Sequence, residues 1–440
     1  MILSHYKFMF VVAALALLML GCEQKAVPTP TLTPTEPPAL TVMAVPPHTL
    51  TPTFTLVPSL TPTRTVVPSP TLTRTAVPPR PTAITSCPGT LPIRLAVDRL
   101  ALVSDESPVS NRVRSQPGLE GEVTGLIGAG EPVWVEEGPQ CADGYTWWYI
   151  QSFAGVQGWT AEGGEVGYWL VPVEATLPDG AAAENLVTLT AGQVSSAVEI
   201  EAAAKRATAD GTRPGTVVLD GRDGPFVYTG DDRSINIFVS DLTLLGVNGA
   251  KIEKCADGLF FDDFPLENIR VEGIEFDCTA HGVAAFGVFN EVTLRGNIFR
   301  TVMPAVHLDG ESSGWLIALN LLDSFSDGIQ ITGTNNHIIT YNMIDGWEGI
   351  TIRHCNQLSI TSNIIRSRRW GIHLLQESSN NLVEKNLIHY DQYSGIILLK
   401  GVTENQILSN IVTCEGGEGC LSVDAPPEVA GQNTILGNLP

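Results

Sequence analysis

Two carboxylates in the second half of the chain occupy positions that suggest acid–base chemistry. Asp327 and Glu348 each come directly before a glycine, about one sequence repeat apart. Inverting glycoside hydrolysis needs two carboxyl groups roughly 6.5 to 9.5 Å apart, a separation that side chains on neighbouring repeats can reach. Arg353 and His373 follow these carboxylates. If the protein is an enzyme, we predict that Asp327, Glu348, Arg353 and His373 are its catalytic residues.

A second group of side chains could bind a sugar without changing it. Planar donors and acceptors hydrogen-bond to hydroxyls, and an aromatic ring can stack on a sugar ring. Arg366, Arg368 and Arg369 form a dense positive patch that could hold a carboxylate or sulfate, although solvated loop charge explains them equally well. The predicted ligand-binding residues are His307, Asp309, Gln330, Arg366, Arg369 and Trp370.

Acidic residues around the same positions leave a calcium-dependent lyase open. Hard cations such as Ca²⁺ bind carboxylate oxygens, and Arg353 or Arg366 would then act as the base. Ion pairs between neighbouring repeats explain the same charges, since Asp323 would lie beside Arg300. The residues that could hold the cation are Asp323, Asp327, Asp345 and Glu348.

These positions recur because the second half of the chain is a repeat. Six asparagines, each followed by two apolar residues, are spaced 21 to 24 residues apart. This period is typical of a parallel β-helix, in which each coil buries its inner face by stacking on the next. The asparagines then form a hydrogen-bonded ladder at one turn. They are Asn297, Asn320, Asn342, Asn363, Asn386 and Asn410.

A second series of small residues has the same period, and each opens an alternating strand. It includes Gly328, Gly349 and Gly371. If the first and third residues after each small residue point inward, the second and fourth face outward. We expect the second residues to form one column, with His307, Gln330, Thr351 and His373, and the fourth residues another, with Asp262, Asp309, Thr332 and Arg353.

Residues 190–440 resemble the pectin-lyase-like superfamily of right-handed parallel β-helices, which includes NosD-type periplasmic proteins. The capping-box pattern Ser196-Ala197-Val198-Glu199 opens a helix that resembles the N-terminal cap of that superfamily. The resemblance implies an all-β fold and hardly constrains activity. Ser326-Asp327-Gly328 faintly resembles a polygalacturonase motif, but that family's other motifs are missing downstream, as are lyase and epimerase signatures.

Residues 87–175 contain short apolar runs separated by glycine-containing turns, which is typical of a small antiparallel barrel. The order of Asn111-Arg112-Val113-Arg114, Trp147-Trp148-Tyr149 and Gly158-Trp159 resembles a bacterial SH3 domain. Relatives often bind cell-wall peptides, a role that the resemblance permits here. Burial of the indole rings explains Trp148 and Trp159 better than ligand contact does.

The N-terminus indicates export. An apolar run ends in Met19-Leu20-Gly21-Cys22, which resembles a lipobox. The resemblance implies that residues 1–21 are a cleaved signal peptide and that Cys22 is lipidated; an uncleaved membrane anchor is the alternative. Residues 22–86 are rich in Pro and Thr and predict an extended, disordered stalk. Both interpretations place the later domains outside the cytoplasm, and the lipobox places them at the cell surface.

Seven cysteines follow Cys22 in a compartment where disulfides persist, so one must be left over. Sequence does not fix connectivity, and the absence of a Cys-x-x-Cys pattern gives no support to a zinc or redox site. Spacing favours the pairs Cys87–Cys141, Cys255–Cys278 and Cys414–Cys420, with Cys355 unpaired.

The net charge of −22 argues against nucleic acid as a partner, because binding there relies on Lys and Arg. We predict a lipid-anchored protein that binds polysaccharide or peptidoglycan through the outer face of its β-helix. A polysaccharide lyase, glycoside hydrolase or epimerase is the first alternative, and a NosD-like accessory protein is the second. Ca²⁺ remains an open candidate cofactor.

Overall fold

Three parallel sheets wind through most of the chain, and an antiparallel sheet precedes them. The computed structural model describes residues 87–106, 109–178, 182–230, 233–261, 265–415 and 420–439. The signal peptide, Cys22 and the stalk predicted for residues 1–86 lie outside the described residues, as does Asp262. The described residues all belong to one unit, Val77–Pro440.

The parallel sheets confirm the predicted β-helix, because each coil contributes one strand to each sheet in turn. Sheet 1 contains Phe226–Val227, Lys251–Cys255, Glu275–Cys278, Ile298–Thr301, Leu321–Ser324, Met343–Gly346, Ile364–Ser367, Leu387–Tyr390 and Ile411–Cys414. Sheet 2 contains Ile235–Ile237, Leu259–Phe261, Val283–Phe286, Val306–Asp309, Ile329–Thr332, Ile350–Arg353, Trp370–Leu375, Ser394–Leu398 and Val423–Asp424. Sheet 3 contains Leu186–Thr190, Gly215–Asp220, Leu242–Val247, Leu266–Glu272, Phe289–Arg295, Leu316–Ala318, Ile338–Thr340, Ser359–Thr361, Leu382–Glu384, Gln406–Leu408 and Thr434–Leu436.

The core of the β-helix is a continuous stack of inward-pointing apolar side chains. Ile350 and Ile352 are fully buried in it, with one residue between them, as strand geometry requires. The small residue before each strand is needed for packing: a Cβ on Gly349 would lie 2.3 Å from the backbone oxygen of Gly371 on the next coil. A larger residue there would push adjacent coils apart.

The predicted asparagine ladder is confirmed at the turn between sheets 3 and 1. The side-chain Nδ2 of Asn342 donates to Oδ1 of Asn363 at 3.0 Å, and Asn363 repeats the contact with Asn386 at 3.0 Å. Asn438 extends the ladder by one coil. The structure adds a second ladder at the turn between sheets 2 and 3, formed by Asn381, Asn405 and Asn433.

Two helices and three short 3₁₀ turns complete the β-helix. Helix α1, Ala197–Thr208, begins with the predicted capping box of Ser196 and Glu199 and covers the first coil. Helix α2, Pro427–Ala430, lies before the last strand of sheet 3. The 3₁₀ turns are Ala183–Asn185, Ala191–Gln193 and Gly221–Asp223. Among the described residues, neither helix has the length and apolar character that a membrane span requires.

The region that resembles an SH3 domain forms a seven-stranded antiparallel sheet, hereafter the N-terminal sheet. Trp148 is buried in its core, as expected, and Trp159 lies in a smaller aromatic cluster with Trp147. In order across the sheet, its strands are Val123–Ile127, Asn111–Arg114, Gln157–Ala161, Tyr145–Ser152, Pro132–Ala142, Arg99–Val103 and Leu170–Pro172.

The N-terminal sheet packs on the outer side of sheet 1. Trp134 and Phe153 join one buried apolar cluster with Leu321, Met343 and Ile364, which point outward from the β-helix. This contact covers sheet 1, so its outer surface is not available to a large ligand there.

All three predicted disulfides are present, and they agree with a compartment outside the cytoplasm. Cys355 is buried and is the free cysteine of the described residues. The bonds join Cys87 to Cys141, Cys255 to Cys278 and Cys414 to Cys420.

Candidate functional site

The strands of sheet 2 are stacked in register and bring the predicted columns together. His307, Gln330, Thr351 and His373 are successive partners on four coils. Asp309, Thr332 and Arg353 form the neighbouring column in the same way. The expectation that His307 and His373 share one outer surface is therefore confirmed.

A compact group of side chains surrounds Glu348 at the start of these strands. The Thr351 hydroxyl donates to Oε2 of Glu348 at 3.0 Å, and Nη1 of Arg369 donates to Oε1 at 3.3 Å. Nδ1 of His373 lies 3.5 Å from Oε2. We call Asp327, Glu348, Thr351, Arg369, Trp370 and His373 the Glu348 cluster.

The two carboxylates of this cluster differ in their affinity for protons. Burial raises the pKa of Asp327 to about 6, and the neighbouring charge of Glu348 acts in the same direction. Burial also favours a higher pKa for Glu348, but the nearby His373 ring, the Thr351 hydroxyl and Arg369 outweigh it and lower that pKa. Pairs of carboxyl groups with pKa values moved apart are a feature of acid–base sites.

His373 has unused hydrogen-bonding capacity in the centre of the cluster. Its side chain is nearly buried although it belongs to an outer column, because the Trp370 ring lies beside it with centroids 4.8 Å apart. Neither ring nitrogen makes a hydrogen bond within the described part of the chain, since the 3.5 Å approach to Glu348 does not meet the geometry of one. Buried polar atoms without a partner are rare in folded proteins, and a functional role is one explanation for them.

An exposed row of aromatic and cationic side chains borders the Glu348 cluster. Trp347, Arg369 and Tyr393 occupy equivalent positions on three successive coils, two residues before Gly349, Gly371 and Gly395. The Arg369 guanidinium lies 4.0 Å above the Trp370 ring, which stacks on Tyr393 at 5.0 Å. Trp347 is 46% exposed and Tyr393 is 60% exposed. We call Trp347, Arg369 and Tyr393 the edge row.

The sequence predictions did not include Trp347 or Tyr393 in the site. A signal was present, because each stands two residues before the small residue of its coil, as Arg369 does. The predicted columns include only residues that follow the small residue of each coil, so they exclude the position two residues before it. The omission matters because both rings are exposed on the coils that adjoin Arg369 of the Glu348 cluster.

His307 begins a separate group further along sheet 2. Its ring is 5.4 Å from that of His281 and makes an edge contact with Phe286 at 5.1 Å. His281 is hydrogen-bonded to Asp257 at 2.9 Å. Burial lowers the pKa of His307, and the neighbouring His281 adds to the effect. His307, exposed Asp309 and half-buried Gln330 thus lie along the same face as the Glu348 cluster.

Arg366 lies elsewhere, and the expectation that it joins Arg369 in a ligand-binding patch is corrected. It belongs to sheet 1, where Nη2 donates to Glu136 at 2.7 Å and to Gln151 at 3.1 Å, both in the N-terminal sheet. Successive strands of one coil point in different directions, so three residues along the chain suffice to separate Arg366 from Arg369.

The acidic residues suggested as cation ligands are also divided between sheets. Asp323 lies on sheet 1 and pairs with Arg300 at 2.9 Å, as the ion-pair interpretation expected. Asp345 is on the same sheet, within 4.0 Å of Arg368, and burial raises its pKa. The described residues contain no group of three or more His, Cys, Asp or Glu side chains that could hold a metal ion.

Comparisons with known proteins agree with the β-helix. Residues 236–413, less than half of the chain, match the model of the family described as periplasmic copper-binding protein (NosD). No curated protein matches the chain.

Solved structures with similar folds show low identity. The A-module of mannuronan C-5 epimerase AlgE4 from Azotobacter vinelandii is 15% identical, with 53% of this chain and 75% of that chain covered and a TM-score of 0.35. An alginate lyase from Paenibacillus sp. is 11% identical, covers 58% of this chain and 99% of that chain, and has a TM-score of 0.31. At these values the similarities assign no activity.

Proposed function

We propose that the protein binds a polysaccharide outside the cytoplasm, at the Glu348 cluster and the edge row of sheet 2. The observation that carries the proposal is the adjacency of exposed aromatic rings to polar groups with unused hydrogen-bonding capacity. Trp347 and Tyr393 offer flat apolar surfaces on which sugar rings can stack. Glu348, whose side chain keeps some exposure, offers a carboxylate acceptor for hydroxyl groups directly beside them.

The shape of the β-helix also suits a chain-like ligand. Equivalent positions on successive coils lie about 4.8 Å apart. The outer face of sheet 2, from the coil of His307 to the coil of Tyr393, can therefore contact several successive sugars. The N-terminal sheet covers sheet 1 but leaves this part of sheet 2 without a covering domain among the described residues. Sheet 2 is therefore the better candidate for the binding surface.

Binding is tested with a glycan array probed by the full-length protein, followed by titration of each positive glycan. We expect Trp347→Ala and Tyr393→Ala each to weaken binding by about tenfold, since stacking and burial of one aromatic ring contribute about 1 to 2 kcal/mol. Leu436→Ala is the control, because Leu436 is also an exposed apolar residue but lies on sheet 3. No binding to any glycan, or equal losses in all three variants, would contradict the proposal.

The proposed setting is a lipoprotein at the cell surface. We infer lipidation at Cys22 after removal of residues 1–21, a stalk over residues 22–86, an SH3-like domain at 87–175 and the β-helix at 190–440. Mass spectrometry of the membrane fraction tests the anchor, because a diacylated Cys22 adds a defined mass to the N-terminal peptide. A Cys22→Ala variant should then leave the membrane fraction.

A second candidate function is cleavage or epimerisation of the bound polysaccharide, and the opposite pKa changes of Asp327 and Glu348 favour it. Near neutral pH, Asp327 retains a protonated fraction and can donate a proton, while Glu348 is ionised and can accept one or act as a nucleophile. His373 and Arg353 lie on the adjoining columns, where they can orient the sugar.

Turnover is tested on the glycans that bind, by assays for new reducing ends, unsaturated uronates and changed sugar stereochemistry. Glu348→Gln should reduce any turnover by about 100-fold or more while it leaves the folded structure intact. Glu384→Gln, a matched change on sheet 3, should have no effect. Binding without turnover in the unchanged protein would exclude this second function and leave the first in place.

A further inference from the structure

Arg353 differs from the other arginines of the central coils. Residues 265–415 contain seven arginines, and six of them have a carboxylate oxygen within 4.0 Å. The guanidinium of Arg353 has no such partner and makes no hydrogen bond within the described residues. The paired six are Arg270, Arg295, Arg300, Arg366, Arg368 and Arg369.

The position of Arg353 is fixed by the register of sheet 2. Its neighbours in the outer column are Thr332 on the preceding coil and Leu375 on the following coil, and neither can neutralise a cation. Asp309, the nearest acidic residue in that column, is two coils away. Arg353 is only half-buried, so it can reach both the sheet surface and a bound molecule.

Arg353 nevertheless faces the proposed site. Residues two apart on a strand point to the same side of a sheet, so Arg353 lies on the outer face that carries Thr351 and His373. It stands two residues after Thr351, whose hydroxyl holds Glu348. Two residues of a strand span roughly 6.6 Å, about the length of one sugar ring with its substituents.

A partly desolvated guanidinium without a partner is costly, and it is matched best by a planar anion. Carboxylates accept two parallel N–H bonds from arginine, and these charge-assisted bonds are about twice as strong as neutral ones. A guanidinium also remains positively charged throughout the physiological pH range. It therefore acts as an anchor for negative charge and not as a base.

We propose that Arg353 holds the carboxylate of an acidic sugar and makes the site selective for uronate-containing polysaccharides over neutral ones. This inference rests on the proposed saccharide site and names its ligand class. It replaces the ligand role predicted for Arg366, whose guanidinium is already used by Glu136. In this arrangement one sugar ring lies beside the Glu348 cluster, with its carboxylate at Arg353, and the next ring lies at the edge row.

The test compares acidic oligosaccharides with neutral counterparts of the same linkage. Tetrasaccharides of galacturonate, mannuronate, guluronate and hyaluronan, together with their carboxyl-reduced forms, are titrated into the full-length protein by calorimetry. At least one acidic form should bind about tenfold or more tightly than its reduced form. Arg353→Gln should remove that preference, because the acidic form loses affinity by a larger factor than its reduced form does. Arg368→Gln, in the turn after a strand of sheet 1, is the control and should retain the preference.

The outcomes separate this inference from the proposal on which it rests. Equal affinity for acidic and reduced forms, or a preference that survives in Arg353→Gln, would overturn the role of Arg353 while the saccharide site remains. If no acidic or neutral saccharide binds, the proposed function fails and this inference fails with it. Thermal unfolding of each variant shows whether a loss of affinity reflects loss of folding.

Discussion

Asp327 and Glu348 are one coil apart, yet their surroundings change the two pKa values in opposite directions. Glu348 receives the Thr351 hydroxyl and the Arg369 guanidinium, so its negative charge is compensated. Burial makes the ionisation of Asp327 unfavourable, and the neighbouring charge of Glu348 adds to this effect. Ionised Asp327 should therefore reduce the stability of the folded protein, as groups at functional sites often do.

We expect Asp327→Asn to be more stable than the unchanged protein at pH 7.5 and equally stable near pH 3.5. The pKa of Asp327 rises from 3.8 to about 6 on folding, so the unfolded chain ionises first as the pH increases. The folded protein loses about 2 kcal/mol of stability between these values, and asparagine avoids that loss. Thermal unfolding at both pH values measures the difference, with Asp309→Asn as an exposed control. An effect that is the same at both pH values would argue against a raised pKa.

At the scale of the structural element, each turn of the β-helix depends on buried amides. Asn363 donates to the backbone oxygens of Ile339 and Thr361, and its Oδ1 accepts from both the backbone and the side chain of Asn342. The side chain is fully buried. One substitution would leave several polar groups without partners, in a place where water cannot replace them.

We expect Asn363→Ala to lower the free energy of unfolding by at least about 2 kcal/mol, because buried donors and acceptors lose their partners. Asn335→Ala, in an exposed turn between sheets 2 and 3, should change it by less than about 1 kcal/mol, because its side chain accepts one exposed hydrogen bond, from the Asn356 backbone. Denaturant unfolding followed by circular dichroism gives both values. Similar values for the two variants would show that the ladder contributes no more than surface asparagines do.

At the scale of the whole molecule, the N-terminal sheet protects an apolar strip on the outside of the β-helix. Leu321, Met343 and Ile364 point away from the core and are nearly fully buried by that contact. The ion pair of Arg366 with Glu136 lies beside it, at 2.7 Å. Without the N-terminal sheet, this strip would be a hydrophobic patch in water.

We therefore expect a variant that lacks residues 87–178 to self-associate, although its β-helix folds. Replacing Leu321, Met343 and Ile364 by threonine in the shortened variant should restore a monodisperse species. Light scattering measures the mass, and circular dichroism verifies the β content. A soluble, monodisperse shortened variant without these substitutions would contradict the protective role of the N-terminal sheet.

Repetition in the sequence determined most of the fold. The period of Asn363 and its equivalents, together with the alternation around Gly349, is enough to identify the coils, the inner and outer columns and the ladder. Local patterns are sufficient here because each coil contacts mainly its neighbours. The second ladder was missed because its asparagines occur on only three of the described coils, while Trp315, His337 and Leu358 occupy equivalent positions earlier.

The tertiary structure decided which charged groups are available for binding. In the sequence, Arg353, Arg366 and Arg369 are all cations that could bind a ligand. In the structure, Arg366 pairs with Glu136 of the N-terminal sheet, and Arg369 pairs with Glu348. Glu136 and Arg366 are more than 200 residues apart in the chain. No local sequence pattern can therefore predict that they pair. Burial likewise sets the pKa of Asp327, since desolvation depends on every residue that surrounds a group in space.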